Sequence, residues 1–304
     1  MNKDKEKVAI QRLKTFEPST EPYYLAYSGG KDSDCIKILA ELSGVKYETY
    51  HNLTSVDAPE TVNYIKNQPD IIIQRKYWDY EHKNPITMWN LIPEKKMPPT
   101  RLVRYCCAEL KEWGGQGRKV ITGVRWAESQ KRAESAGVAK ILGSPKKVEK
   151  IAMEQDADYT ITKQGGVVMN DDNTETRETV ELCYRWHKTT INPIVDWSDS
   201  DVWEFLRHYG CKSNPLYECG FARIGCIGCP MADKNRYTEF ARYPKFQENY
   251  IKAFQRMLDN YNYLTGSWKD GEEVFRWWMG EDLDQIRFTD LWQEMEDLQE
   301  EYNR

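Results

Sequence analysis

The segment Ser28–Ser33, S-G-G-K-D-S, constrains this chain more than any other stretch. It follows a short apolar run, Tyr23–Tyr27, suited to a buried strand. After it, Cys35, Ile36, Leu39 and Leu42 recur at helical spacing, and Gly44 is placed to end that helix. Strand, glycine turn and helix in that order form the first unit of an α/β domain. Gly29 and Gly30 allow a tight turn that aims several backbone N–H groups at an anion, at the positive end of the following helix. Ser28 and Ser33 add hydroxyl donors, and Lys31 adds a mobile positive charge. The pattern is not GxxxxGK[ST], so γ-phosphate chemistry is not implied. Asp32 reads equally as a magnesium-side carboxylate or as a helix N-terminal one.

The alternation continues along the chain. Lys3–Phe16 reads as a charged amphipathic helix closed by Pro18 and Pro22. Lys46–His51, Lys119–Val124 and Thr189–Ile194 read as strands, and Ile71–Gln74 as a buried one. Helices are predicted from Asp57 to about Asn67, over Arg101–Trp113, and after Ser198, whose hydroxyl and Asp201 form a capping pattern. Such alternation predicts an α/β fold with an open, mostly parallel sheet and helices on both faces. Residues 133–190 are less regular, and the stretch around Gly165-Gly166 reads as an inserted hairpin. A cysteine-bearing loop follows Asn214, then an aromatic helical region from Asp233 in which Trp277, Trp278 and Trp292 are packing residues. The expected division is a helical segment over 1–20, an α/β domain over 21–210, and a CxxC loop with a helical region over 211–304.

Charge and cysteine content narrow the classes. Across 304 residues, acidic groups outnumber basic ones 48 to 43, for a net charge of −5. Nucleic acid is therefore compatible as a partner but not the default one. No run of 18 apolar residues exists, and the N-terminus lacks an apolar signal core, so a cytoplasmic protein with no membrane partner is expected. Eight cysteines in such a chain point to metal ligands or reactive thiols rather than disulfides. Cys106-Cys107 and Cys226-x-x-Cys229 can together supply tetrathiolate ligation, to an iron–sulfur centre or to zinc, although adjacent cysteines suit one tetrahedral zinc poorly. Cys183 and Cys219 stay open as ligand or reactive thiol, while Cys35 and Cys211 read as structural. The four histidines form no ligand spacing.

Ser28–Ser33 resembles the pyrophosphate loop of the adenine nucleotide α-hydrolases, or N-type ATP pyrophosphatases. Enzymes with this loop cleave ATP between the α and β phosphates, usually adenylating a substrate. Pro59-Glu60-Thr61 resembles the PET motif of one branch, the phosphoadenosine phosphosulfate (PAPS) reductase family. Thr122-Gly123-Val124-Arg125 with Glu128, Ser129 and Arg132 resembles its TGxRxxES segment. Asn192–Trp197 with Asp201-Val202-Trp203 resembles its NPIxDW…DVW segment, and Asn214-Pro215-Leu216 and Gly225-Cys226-x-x-Cys229 complete the series. The resemblance covers about residues 20–235, with 133–190 poorly matched. It implies that Ser28, Gly29, Gly30, Lys31, Asp32, Ser33, Glu60, Gly123, Arg125, Glu128 and Ser129 bind a nucleotide, ATP or adenylyl sulfate, with Mg2+. It further implies that Lys31, Asp32, Arg125 and Arg132 act on it. In the adenylyl sulfate reductase branch a tandem CC and a distant CxxC hold a [4Fe-4S] cluster, which would assign Cys106, Cys107, Cys226 and Cys229 here, with zinc as the alternative.

Two departures bear on function. Sulfonucleotide reductases carry a nucleophilic cysteine in a C-terminal ECG-type segment, and here no cysteine follows Cys229; Glu218-Cys219-Gly220 lies before the CxxC. Their loops also usually lack the full SGGKDS, which suits charge developing on a departing pyrophosphate. The expectation is an ATP pyrophosphatase that adenylates its substrate in sulfur-transfer chemistry, similar to the enzymes of DNA phosphorothioation and tRNA thiolation. A phosphoadenylyl or adenylyl sulfate reductase is the alternative, and a non-catalytic nucleotide-binding component of a complex is the second. Expected partners are the nucleotide, a sulfur-accepting or sulfur-donating substrate and a reductant or sulfur-donor protein; a homo-oligomer is compatible.

Overall fold

The computed structural model describes residues 3–163, 165–261 and 268–281. In chain order it begins with α1 (Lys3–Thr15), β1 (Tyr23–Ala26), α2 (Lys31–Ser43), β2 (Tyr47–Asn52), α3 (Pro59–Lys66) and β3 (Ile71–Gln74). A hairpin of β4 (Tyr77–Asp79) and β5 (Asn84–Pro85) precedes α4 (Met88–Lys95). Then come β6 (Lys119–Ile121), α5 (Gln130–Ser135), β7 (Ala139–Leu142), α6 (Pro145–Glu154), β8 (Thr160–Ile161), β9 (Val167–Met169), α7 (Thr174–Cys183), β10 (Lys188–Ile191) and α8 (Asp199–His208). The last described elements are α9 (Asn235–Arg242), α10 (Pro244–Asn260) and α11 (Gly271–Met279).

These elements form two compact units. The first takes the chain up to Asn52, Pro59–Gln74 and Gly114–Ile224. It holds an eight-stranded sheet in the order β3-β2-β1-β6-β10-β7-β9-β8. The five strands from β3 to β10 run parallel, and β7, β9 and β8 extend the sheet antiparallel. Its core gathers Leu25, Ile36, Leu39, Ile121, Ile141, Ile191, Val202 and Phe205, all buried. Local chemistry explains the elements. Asp32 and Asp34 stand in the first turn of α2, where the helix dipole favours carboxylates, and Gly44 closes it in the left-handed conformation. The packing of α1 is reinforced by ion pairs to the α8 region, Arg12–Asp196 at 2.8 Å and Lys5–Asp201 at 2.6 Å.

The second unit takes Leu53–Ala58, Arg75–Trp113 and the described residues from Gly225 onward. Its centre is aromatic. Phe240, Tyr250, Phe254, Phe275 and Trp278 are buried together, with ring centroids 4.8 Å apart for Tyr250 and Trp278 and 5.5 Å for Phe254 and Trp278. The Trp278 Nε1–H donates to the Pro99 carbonyl at 2.6 Å, so the indole's polar edge is satisfied inside this core. Trp278 is thus a packing residue, and Trp277 packs at 5.2 Å on the buried Trp268. Trp292 lies outside the described residues.

Several expectations are corrected. Arg101–Trp113 is not an α-helix but an irregular run ending in a π-helical turn over Cys107–Lys111. A reverse turn between Thr100 and Val103 and the buried Tyr105, whose hydroxyl donates to the Met97 carbonyl, hold its first residues away from helical geometry. The strand Ile71–Gln74 is an edge strand, with Ile72 and Ile73 exposed. Residues 133–190 do hold the expected hairpin, β8 and β9 paired antiparallel on either side of Gly165-Gly166, and β7, β9 and β8 continue the main sheet, with Val138, Ile141, Val167 and Met169 in its core. The packing units also differ from a division in chain order, because 53–58 and 75–113 leave the sheet to build the aromatic core. Among the described residues no helix is long and apolar enough to cross a membrane.

Lys119 is buried on β6, its ammonium donating to Glu181 at 2.6 Å and to the Phe16 carbonyl at 3.1 Å. Removing the Glu181 charge leaves a buried cation uncompensated, whereas removing Lys119 leaves a carboxylate that is 38% exposed and can be solvated. We expect Glu181→Gln to lower unfolding free energy by about 1–3 kcal/mol and Lys119→Met to lower it less. Urea denaturation midpoints of the two variants check this; a larger loss in Lys119→Met contradicts it.

Candidate functional site

In the sheet, β1 lies between β2 and β6, and the chain passes from β1 to β2 on one side before returning to β6 on the other. Such a reversal opens a crevice at the carboxyl ends of the strands, where open α/β sheets bind ligands. The segments that follow β1, β6 and β10 meet there. Between the last two, Thr122 donates its hydroxyl to Asn192, and the Trp126 amide donates to the Val195 carbonyl at 2.8 Å.

The loop after β1 is built by its neighbours. Gly29 has φ +74°, and a β-carbon there would stand 3.0 Å from Ile65 and 3.1 Å from Thr61, so both conformation and space require glycine. The PET segment thus supports the loop from beneath: Pro59 starts α3, Glu60 stands in its first turn, and Thr61 and Ile65 pack on Gly29. Ser33 Oγ accepts from the Gly30 amide at 3.1 Å and donates to the Gly30 carbonyl at 2.7 Å, with Ser28 Oγ at 3.4 Å. Two further residues hold the loop. Asn214 Nδ2 donates to the Gly29 carbonyl and to Thr61 Oγ1, both at 3.0 Å. The Lys31 amide donates to Tyr217 Oη at 2.8 Å. Asn214 stands in a matched segment, so a role was legible there; Tyr217 carries no sequence signal.

Charge is concentrated where the three segments meet. Arg125, 1% exposed, donates from Nε to Asp32 at 2.7 Å, from Nη2 to Asp199 at 2.7 Å and from Nη1 to the Trp197 carbonyl at 3.2 Å. Lys31 Nζ lies 3.6 Å from both carboxylates. Gly123 permits the approach: a β-carbon there would stand 2.9 Å from the Asp32 β-carbon and carbonyl oxygen. Partial burial alone would raise the Asp199 pKa, but the Arg125 hydrogen bond and the Lys31 and Arg125 charges outweigh it and hold the carboxyl below its usual range. Lys31, Asp32 and Arg125 are therefore brought together as expected, with Arg125 engaged by carboxylates. Asp199 was missed because it reads as one of several acids in a helix N-terminus. Glu128, Ser129 and Arg132 lie in the exposed turn that follows, Glu128 accepting from the Arg125 amide at 3.0 Å, Ser129 capping α5 through the Arg132 amide at 3.2 Å and Arg132 lying 3.8 Å from Glu128.

In the second unit, Cys106, Cys107, Cys226 and Cys229 are half-buried and close enough to influence one another electrostatically. The Cys226–Cys229 turn is pinned on two sides: the Ile227 amide donates to the Val56 carbonyl at 2.7 Å, and Tyr250 Oη donates to the Ile227 carbonyl at 3.0 Å. Between the tandem pair, a hydrogen bond from the Cys106 thiol holds Cys107 below the usual thiol range, helped by Arg104, whose Nη2 donates to Cys107 Sγ at 3.1 Å. Among the described residues, only Asp79, Glu81 and His82 form a group of three or more with ligand atoms within 4.8 Å of one another; they are exposed at the β4–β5 turn. Cys35, Cys183, Cys211 and Cys219 belong to the first unit, with Cys35 and Cys183 buried and Cys219 exposed.

The fold and crevice place the chain among the open α/β proteins that take ligands at the carboxyl ends of their strands. A family model for the phosphoadenosine phosphosulfate reductase domain matches residues 22–232, and the chain belongs to that family. It is 23% identical over 258 residues to an uncharacterized protein of Methanocaldococcus jannaschii, covering 80% of this chain and 50% of that one. Over 42 residues, 14% of this chain and 16% of the relative, it is 48% identical to the adenosine 5'-phosphosulfate reductase of Allochromatium vinosum. Among solved structures it is similar to Candida glabrata FMN adenylyltransferase in complex with FAD and inorganic pyrophosphate, with TM-score 0.41 and 11% identity over 74% of this chain and 63% of that one. The chain thus spans half or less of the length of these curated relatives.

Asp34, one turn into α2, is 3% exposed and receives hydrogen bonds from Tyr27 and, at 3.2 Å, from Tyr64. Burial raises its carboxyl to about 6, the two phenol hydrogen bonds opposing. A carboxyl whose pKa is higher folded than unfolded contributes fully below the unfolded value and loses that contribution as pH rises through the folded one. We therefore expect the stability of the wild type relative to Asp34→Asn to fall by roughly 2–2.5 kcal/mol between pH 4 and 7.5. Denaturation at the two pH values checks this, and a pH-independent difference contradicts it.

Proposed function

We propose that this member of the PAPS reductase family is an ATP pyrophosphatase that adenylates its substrate in sulfur-transfer chemistry. The observation that carries the reading is the complete SGGKDS loop, set at the N-terminus of α2 in the crevice beside β1 and β6. Its backbone amides and hydroxyls suit a pyrophosphate, and Lys31 suits the charge that grows on it. In the reaction, a nucleophilic oxygen or sulfur of the substrate forms a bond to the α-phosphorus. The α–β bridging P–O bond breaks, and its electron pair leaves on pyrophosphate. Asp32 and Asp199 offer hard carboxylate oxygens near Lys31, a donor set that fits Mg2+, which would supply charge neutralisation for a phosphate ligand.

The four thiols of the second unit fit a [4Fe-4S] cluster, which would supply the sulfur relay or redox chemistry. Soft thiolate donors select iron–sulfur or zinc. Adjacent cysteines such as Cys106 and Cys107 suit one tetrahedral zinc poorly, which favours a cluster over zinc. A second reading, a sulfonucleotide reductase, is favoured by the local identity to an adenosine 5'-phosphosulfate reductase. A nucleotide-responsive, non-catalytic component would instead bind without turnover until a partner is added.

Pyrophosphate release from ATP by anaerobically prepared protein tests the first reading; Lys31→Ala should lower it at least ~100-fold. Absence of both ATP binding and turnover would sink it, and sulfite release from adenylyl sulfate with a thiol reductant would install the reductase. Iron and sulfide analysis, with a broad absorption near ~400 nm lost in Cys226→Ala, tests the cluster. Colourless protein carrying zinc overturns it.

A further inference from the structure

Asp199 stands in the first turn of α8 yet takes no part in capping it. The Ser198 hydroxyl accepts from the Asp201 amide at 3.2 Å, and Asp201 accepts from the Ser198 amide at 2.7 Å and pairs with Lys5 at 2.6 Å. The Asp199 carboxylate, 71% exposed, turns instead onto Arg125 at 2.7 Å and Lys31 at 3.6 Å. With Asp32 it balances these two cations, so the crevice carries no net charge from its four ionised groups. An anion reaching Lys31 and Arg125 must displace a carboxylate that already occupies an anion's place between them.

We propose that Asp199 is an internal counter-anion that holds the phosphate-binding cations until a ligand brings its own divalent metal, so that the site takes metal-complexed phosphate chains and discriminates against metal-free anions. This rests on the reading of the crevice as a phosphate site. A bare pyrophosphate gains Lys31 and Arg125 only by leaving Asp199 and Asp32 facing its own negative charge, and like charges at contact repel. A magnesium-bound one supplies the cation to which the displaced carboxylates can turn. The low exposure of Arg125 strengthens the effect, because its field is weakly screened by water. Arg125 keeps Asp32 and the Trp197 carbonyl when Asp199 is neutralised, so the guanidinium stays in place.

The test is calorimetric titration of the full chain with inorganic pyrophosphate, in EDTA and in Mg2+, for the wild type, Asp199→Asn and a control with one distant carboxylate removed, Glu154→Gln. Wild type should bind the metal-free anion weakly and gain at least about tenfold on adding Mg2+. Asp199→Asn should bind metal-free pyrophosphate about five- to tenfold tighter, with a smaller gain from Mg2+; Glu154→Gln should match the wild type. If wild type binds Mg2+–pyrophosphate but Asp199→Asn is no tighter than wild type in EDTA, the inference fails and the phosphate reading stands. If Glu154→Gln tightens binding as much as Asp199→Asn, net charge is the cause and the inference fails. No binding by folded wild type under either condition overturns both.

Discussion

The buried guanidinium of Arg125 is the contact on which the crevice at the carboxyl ends of the strands depends. A cation with 1% exposure persists only where its donors are paired. Those donors reach the first turn of α2, the turn before α8 and the first residue of α8. Three segments distant in sequence are thereby drawn to one point at the carboxyl ends of β1, β6 and β10. The glycine at 123 is the steric condition for the same contact, because any β-carbon there meets Asp32.

The loop SGGKDS is accordingly held by more than its own turn. Asn214 and Tyr217 fasten it from one side, and Thr61 and Ile65 from beneath. A loop so supported holds its shape before any ligand arrives, which lowers the ordering cost of binding. In the second unit the same principle serves the thiols. The Cys226–Cys229 turn hangs on a backbone hydrogen bond to Val56 and on the Tyr250 hydroxyl, and Tyr250 sits in a buried aromatic cluster with Trp278 and Phe240.

Much of this was legible in the sequence, and the misses have a common cause. Strands, glycine turn and helices follow from local periodicity, and the matched segments led to Lys31, Asp32, Arg125 and the four cysteines. The run Arg101–Trp113 misled because its helical composition is overridden by a buried tyrosine and a reverse turn. Ile71–Gln74 misled because an apolar run looks alike at the centre and at the edge of a sheet. Glu128 and Ser129 carry motif letters and also shape a local turn, Glu128 accepting from the Arg125 amide and Ser129 from the Arg132 amide, while the Arg132 side chain stays exposed.

The sequence by itself determined the family, the α/β class, the position of the loop after the first strand and the pairing of a tandem cysteine motif with a distant one. These depend on short-range patterns, in which neighbours along the chain are neighbours in space. Only the tertiary structure decided that 133–190 extends the main sheet, that 53–58 and 75–113 join the aromatic core, and that Asp199 neutralises Arg125 from 74 positions away. Charge compensation of a buried cation is a requirement on space, and many acidic residues could have met it. The fold chose which one did.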